Sequence, residues 1–314
     1  MGTELRIREG LAEVDRFVGE RDKGLLCCQE AILSCAGRAP NRSLIRLHRL
    51  MGTILEAIGR FEEAQEHFAL AHGLLRSVTP PREELAKLYE CMGQLAIRRR
   101  NAAEAVRLSR LALDALGTDH DNVTAASVYT NMAVTHQLQQ ETDKALWCFE
   151  KSMAIRQRLG DREGLSRSLH NKGALHRALG EYDQALRCYR RSLEIKVKVG
   201  NREGVAASHY NIGNVYCLQG EYELAREEYQ GSLTIRERIG DKLGQVAALL
   251  GVAHVCRIAA DYGGAQQSLK RCLALQEELG QDAAAPCTEL AALHLDLGAH
   301  EEAEAAVERA LTAG

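Results

Sequence analysis

Shifted by 40 residues, this 314-residue chain falls on itself. Gly160, Gly200, Gly240 and Gly280 coincide, each followed by a polar residue: Asp161, Asn201, Asp241 and Gln281. With adjustments of one or two residues, one column of small residues reads Ala12, Gly52, Gly93, Ala133, Gly173, Gly213, Ala253, Ala291. A second reads Gly24, Ala64, Ala105, Ala145, Ala185, Ala225, Ala265, Ala303. Phe149, Tyr189 and Tyr229 form an aromatic column, and Ser152, Ser192 and Ser232 another. The period predicts eight units, at about 5–40, 41–82, 83–120, 121–160, 161–200, 201–240, 241–280 and 281–314. A period of this length excludes most folds, because each unit must bury its apolar face against the next.

Inside a unit, apolar and small residues recur every three or four positions, which is helical spacing. In the sixth unit, Ile212, Gly213 and Tyr216 share a face of one helix, and Ala225, Tyr229 and Ser232 a face of the next. Gly220 is expected to end the first helix and Gly240 the second, with Asp241 capping the one after. Pro40, Pro80, Pro81 and Pro286 are expected between units, where helices stop. Each unit then reads as two antiparallel helices of roughly 15–18 residues.

Composition agrees. Aromatic residues are 4% of the chain, too few for a β-sandwich or barrel. No apolar run approaches the roughly 18 residues of a membrane span, and the charged stretch MGTELRIREGLAEVDRF is no secretion signal. Arg6 leaves the myristoylation pattern incomplete. A net charge of −3 offers no reason to expect nucleic acid. The ten cysteines show neither C-x-x-C nor zinc-ligand spacing and read as reduced core residues.

The small columns with an aromatic in the second helix, as at Gly173, Ala185, Tyr189 and Ser192, resemble the tetratricopeptide repeat. The 40-residue period and the -G-[DN]-x-x-G- turns at 160–164 and 200–204 are similar to the longer form in LGN-type adaptors and in rapsyn. The stretch IGDKLGQVAALLGVAHV (239–255) is rapsyn-like, although no Cys/His cluster follows. The resemblance implies a single all-α, right-handed solenoid of about eight helix-turn-helix units over residues 1–314. It implies a cytoplasmic protein, with cytoskeletal association as in those relatives.

Motifs for phosphate loops, dinucleotide folds, zinc hydrolysis and serine nucleophiles are absent. No catalytic residue, metal or cofactor is expected. His136, His176 and His294 share a column facing the partner helix and read as packing residues. Arg98, Arg99 and Arg100 end a first helix, where cations suit the dipole.

The stacked array itself remains, and such arrays bind partners along their concave face. In the resembled family that face is lined by positions two before the first small column, one after it, and one turn on. Asn131, Asn171 and Asn211 stand in one such column, and each amide could donate to and accept from an extended peptide. Lys87, Arg98, Arg167, His170, Arg177, Tyr210, Asn214, His254 and Arg257 fall nearby and are mostly basic or polar. The expectation is a non-catalytic adaptor that captures an acidic linear peptide of a partner protein. The alternative is a clustering scaffold, acting by self-association through its C-terminal end or by edge contacts to a cytoskeletal or membrane-receptor partner.

Overall fold

A computed structural model describes residues 21–34, 42–76, 82–118 and 120–313. Ala12, Cys35, Pro40, Pro80 and Pro81, with the first helix expected of the first unit, lie outside them. The described residues form α-helices and their connecting turns. In chain order these are α1 (Arg21–Ser34), α2 (Arg42–Ala57), α3 (Phe61–Arg76), α4 (Arg82–Arg98), α5 (Ala102–Leu116), α6 (Val123–Leu138) and α7 (Thr142–Leu159). There follow α8 (Arg162–Ala178), α9 (Tyr182–Lys198), α10 (Arg202–Gln219), α11 (Tyr222–Ile239), α12 (Lys242–Ile258), α13 (Tyr262–Leu279), α14 (Ala284–Asp296) and α15 (His300–Ala313). Consecutive pairs from α2/α3 to α14/α15 are the expected hairpins, and α1 is the second helix of the first unit. The chain divides into two compact units, Met1–Asp161 and Arg162–Gly314.

The small columns are where the helices of a hairpin meet. Ala64, Ala105, Ala145, Ala185, Ala225 and Ala265 are fully buried. The aromatic column lies against the glycines: a Cβ on Gly52 would stand 2.6 Å from the Phe68 ring, one on Gly173 3.0 Å from Tyr189, and one on Gly213 2.9 Å from Tyr229. Glycine supplies the room and the ring fills it, at interior packing density. The serine column has a polar reason as well. Ser152, Ser192 and Ser232 are fully buried and donate to the carbonyls of Ala126, Ser166 and Ala206, 26 residues earlier, at 2.7–2.9 Å. Each hydroxyl thus ties the second helix to the first.

The turns follow the sequence signals. Gly220 and Gly240 end their helices in the left-handed conformation at φ 80° and 74°, and the Asp241 carboxylate accepts from the Gly244 N–H at 2.9 Å. The same left-handed turn position inside the hairpins is occupied by Arg100, Gln140 and Ala260 in three repeats, at φ 56–61°. Pro286 corrects one expectation. It lies inside the first turn of α14 rather than between units, a place where the missing N–H has no helical partner anyway.

The histidine column is more polar than expected. His136 and His176 bond the carboxylates of Glu141 and Glu181, which open the following helix, at 2.6 and 2.5 Å.

Candidate functional site

The expected site residues sit on the first helices of the hairpins. Small residues turn those helices toward their partners, so positions two before, one after and four after are left half-buried beside the next first helix. Within Met1–Asp161 these helices are α4 and α6, and within Arg162–Gly314 they are α8, α10 and α12.

In the first unit the expected residues are occupied. Asn131 is buried, at 9% exposure, and its amide donates to both the carbonyl and the carboxylate of Glu90 at 3.2 Å. It joins α6 to α4 and does not present a free amide. Lys87 pairs with Glu83 at 2.8 Å. Arg98 donates to Glu56 at 3.1 Å. Glu56 is itself buried, and desolvation holds its carboxyl above the usual range despite the guanidinium.

The second unit differs along its length. At one end, Glu289 on α14 accepts from Arg257 at 2.7 Å and lies 3.2 Å from His254 Nδ1, while Arg257 also reaches Asp296 at 2.7 Å. His254 is pushed up to about 9, by hydrogen bonding to Cys217 first and to Glu289 second. The expectation of open positive charge therefore fails at Lys87, Arg98, His254 and Arg257. A carboxylate of the chain pairs with each of the four.

Toward the other end of that unit the charges stay open. Arg167 is exposed, and Arg177 is half-buried with a buried Nε that has no hydrogen-bond partner. Beside the Arg177 guanidinium lies Tyr189, fully buried, its phenol raised by burial. The Tyr229 hydroxyl donates to Asn214 Oδ1 at 2.8 Å, which leaves the Asn214 amide hydrogens over. Asn171 is half-buried and makes no hydrogen bond among the described residues. Asn211 donates to the Ala207 carbonyl at 2.9 Å and toward His170 Nε2 at 3.4 Å. Tyr210 is half-buried, its ring tilted against that of Tyr229 and covered by the Arg236 guanidinium at 5.6 Å.

Reading the sequence missed Lys196. Its column runs Arg156, Lys196, Arg236, Gln276, each buried or nearly so in a second helix. Arg156 and Arg236 face Asp161 and Asp241, but the residue matching those aspartates after Lys196 is Asn201. Lys196, at 5% exposure, is left with the Ser208 hydroxyl at 2.9 Å and His170 Nδ1 at 3.4 Å. Burial pushes Lys196 down to about 8. Burial first, then the Lys196 ammonium, pushes His170 down to about 4, so its ring is neutral and packs edge-on to Tyr189 at 5.3 Å. The replacement of a column aspartate by Asn201 was the signal for this site.

Among the described residues no group of three His, Cys, Asp or Glu side chains is placed to hold a metal ion, and no helix is long and apolar enough to cross a membrane.

Residues 124–196 and 204–278 match the tetratricopeptide repeat family. Over those residues the chain is built of tetratricopeptide repeats. No curated protein sequence matches it. Solved structures share its fold. The apo form of RapI is 15% identical with a TM-score of 0.73, over 99% of this chain and 86% of that one. A signal-transduction ATPase of the STAND class with a tetratricopeptide repeat sensor, from Pyrococcus horikoshii, is 16% identical with a TM-score of 0.77, over 99% of this chain and 47% of that one. A Rap protein complexed with Competence and Sporulation Factor is 14% identical with a TM-score of 0.64, over 99% and 97%.

Proposed function

We propose that the chain is a non-catalytic adaptor that holds an extended, acidic segment of a partner protein against α8, α10 and α12, within a single array running over residues 1–314. One observation carries this: the buried Nε of Arg177 on α8 has no hydrogen-bond partner, and Asn214 on α10 uses its Oδ1 for Tyr229 and keeps its amide hydrogens for a ligand. Buried donors without acceptors are costly, and a carboxylate satisfies several at once. Asn171 and Asn211 add side chains that can pair with peptide backbone. The basic contribution is confined to Arg167 and Arg177. That a structure of the same fold is a complex with Competence and Sporulation Factor is consistent with ligand capture by such arrays. The likeness to LGN-type adaptors and rapsyn rests on residues 160–164, 200–204 and 239–255, and with it the cytoplasmic and cytoskeletal setting.

Selection from a displayed library of random 12-residue linear peptides tests the reading. Binders should be rich in Asp and Glu. Arg177→Ala should weaken them by about 1–3 kcal/mol, with the thermal midpoint nearly unchanged. Binders without acidic residues, or full affinity in Arg177→Ala, would remove the acidic segment from the account.

A second use is supported by apolar exposure in the last hairpin. Leu295, Leu297, Val307 and Leu311 are 46–77% exposed on or beside α14 and α15. Self-association through this hairpin would cover them. Sedimentation over a concentration series, repeated with Leu311→Glu, distinguishes a self-associating scaffold from a monomeric adaptor.

A further inference from the structure

The connection from α5 to α6 departs from the period. It runs over residues 117–122, whereas α7 and α8 are joined by residues 160–161 alone, and α11 and α12 by 240–241. Beside this longer connection, wholly within Met1–Asp161, lies a cavity of about 740 Å³. Tyr129 on α6 and the buried Ile155 on α7 give it an apolar wall. Lys151 and Arg158 on α7, with Asp121, give it a charged one.

The rings at this place are not demanded by the repeat. Tyr129 stands where other units carry Leu169, His209 and Leu249, and Trp147 where they carry Arg107, Arg187 and Glu227. Tyr129 and Trp147 meet edge to face with ring centres 5.9 Å apart, and His120 meets Tyr129 in the same manner at 6.4 Å. Trp147 is the one tryptophan of the chain and is 51% exposed. Packing of the hairpin therefore does not account for it.

The charges are uneven. Arg158 and Asp121 pair with each other at 3.0 Å. Lys151 is exposed and makes no ion pair among the described residues; its ammonium lies 5.4 Å from the centre of the Trp147 ring. An ammonium over a ring keeps its hydrogens for an acceptor.

We propose that this cavity binds a small aromatic carboxylate, its ring packed on Tyr129 and its acidic group held by Lys151. An aromatic wall with a few polar groups, in a volume of roughly 300–1,000 Å³, is how small-molecule sites are built. A ring added to rings already in edge-to-face contact gains more than its buried area. Lysine then selects the charge. An aryl ammonium meets a like charge there, and a neutral aryl compound leaves the lysine without a counter-ion. The inference is independent of peptide capture, which concerns α8, α10 and α12.

The single indole N–H gives one resonance in the proton–nitrogen correlation spectrum of the full chain, and it reports on this cavity. Titration with 2-naphthoate should shift that resonance to saturation, with affinity about fivefold or more above those of 2-naphthamide and 2-naphthylmethylamine. Lys151→Met should weaken 2-naphthoate about fivefold, to the level of the amide, with helical circular dichroism unchanged. An indole resonance unmoved by millimolar 2-naphthoate would overturn the site, wherever else the probe bound. Equal affinity for the three probes, or tighter binding of the amine, would overturn the choice of an anion. Full affinity in a folded Lys151→Met protein would remove the lysine from the site.

Discussion

The Tyr229 ring lies against the backbone of Gly213, so that a single methyl group there would stand 2.9 Å from two ring carbons and 3.3 Å from the Ala225 carbonyl. The same ring faces Gly251 on the next first helix, again at 2.9 Å. One tyrosine thus sets the distance both within a hairpin and between hairpins. Gly213→Ala should destabilise the chain by about 1–3 kcal/mol, because the ring cannot retreat from two backbones at once. Urea denaturation measures it. No change would mean that the ring has space to move.

A left-handed turn without glycine is a site for improvement. Ala260 sits at φ 59°, where a Cβ is unfavourable by about 1 kcal/mol, whereas Gly180 and Gly220 hold the matching position in their repeats at φ 76° and 80°. Ala260→Gly should therefore stabilise the fold by roughly 0.5 kcal/mol or more, after the entropy that glycine adds to the unfolded chain. A lower melting temperature for the variant would contradict this.

Lys196 sets a pH dependence. It titrates near 8 in the folded chain against an ordinary 10.5, so between those values the unfolded chain holds a proton that the folded chain has released. Stability then rises with pH through that window, and below it the buried ammonium is a standing penalty. Lys196→Met should raise stability at pH 7 by on the order of 2 kcal/mol and abolish the rise.

His170 behaves in the related sense at acid pH. Its folded value of about 4 lies below the ordinary 6.5, so stability falls as pH drops from 6.5 toward 4. Since Lys196 is one cause of the depression, Lys196→Met should raise the folded value, so that the fall still begins near 6.5 but is smaller and ends at a higher pH. Denaturation at half-unit pH steps for both proteins shows whether the two groups are coupled.

The asparagine column should split. Asn131→Ala should lower stability by about 0.5–1.5 kcal/mol, since it leaves the Glu90 acceptors on a neighbouring helix without their donor. Asn171→Ala should change stability by about 0.5 kcal/mol or less and instead weaken peptide binding by about 1–3 kcal/mol. Both quantities on both variants decide it.

The architecture was legible because repetition averages out local noise. Gly52, Gly173 and Gly213 need not be understood singly when each recurs with a ring sixteen residues later. The site was legible only in its positions. Whether Arg257 offers charge depends on Glu289 and Asp296, and whether Arg98 does depends on Glu56, acidic residues that the equivalent positions of the other repeats do not share. Asn131 and Asn171 are equivalent in the period, yet one donates to Glu90 and the other is half-buried, because Glu90 on the preceding first helix is matched by Thr130 one repeat later. Lys196 was the reverse case, since its change is written in the columns as an asparagine where aspartates stand.

The serine hydroxyls that reach back 26 residues keep their bonds inside one hairpin. Alignment of the two rods is therefore settled before any neighbour arrives. An array assembled from such self-registered pairs can gain or lose length in whole steps, and a gene encoding it can grow by duplication with every new piece already in phase.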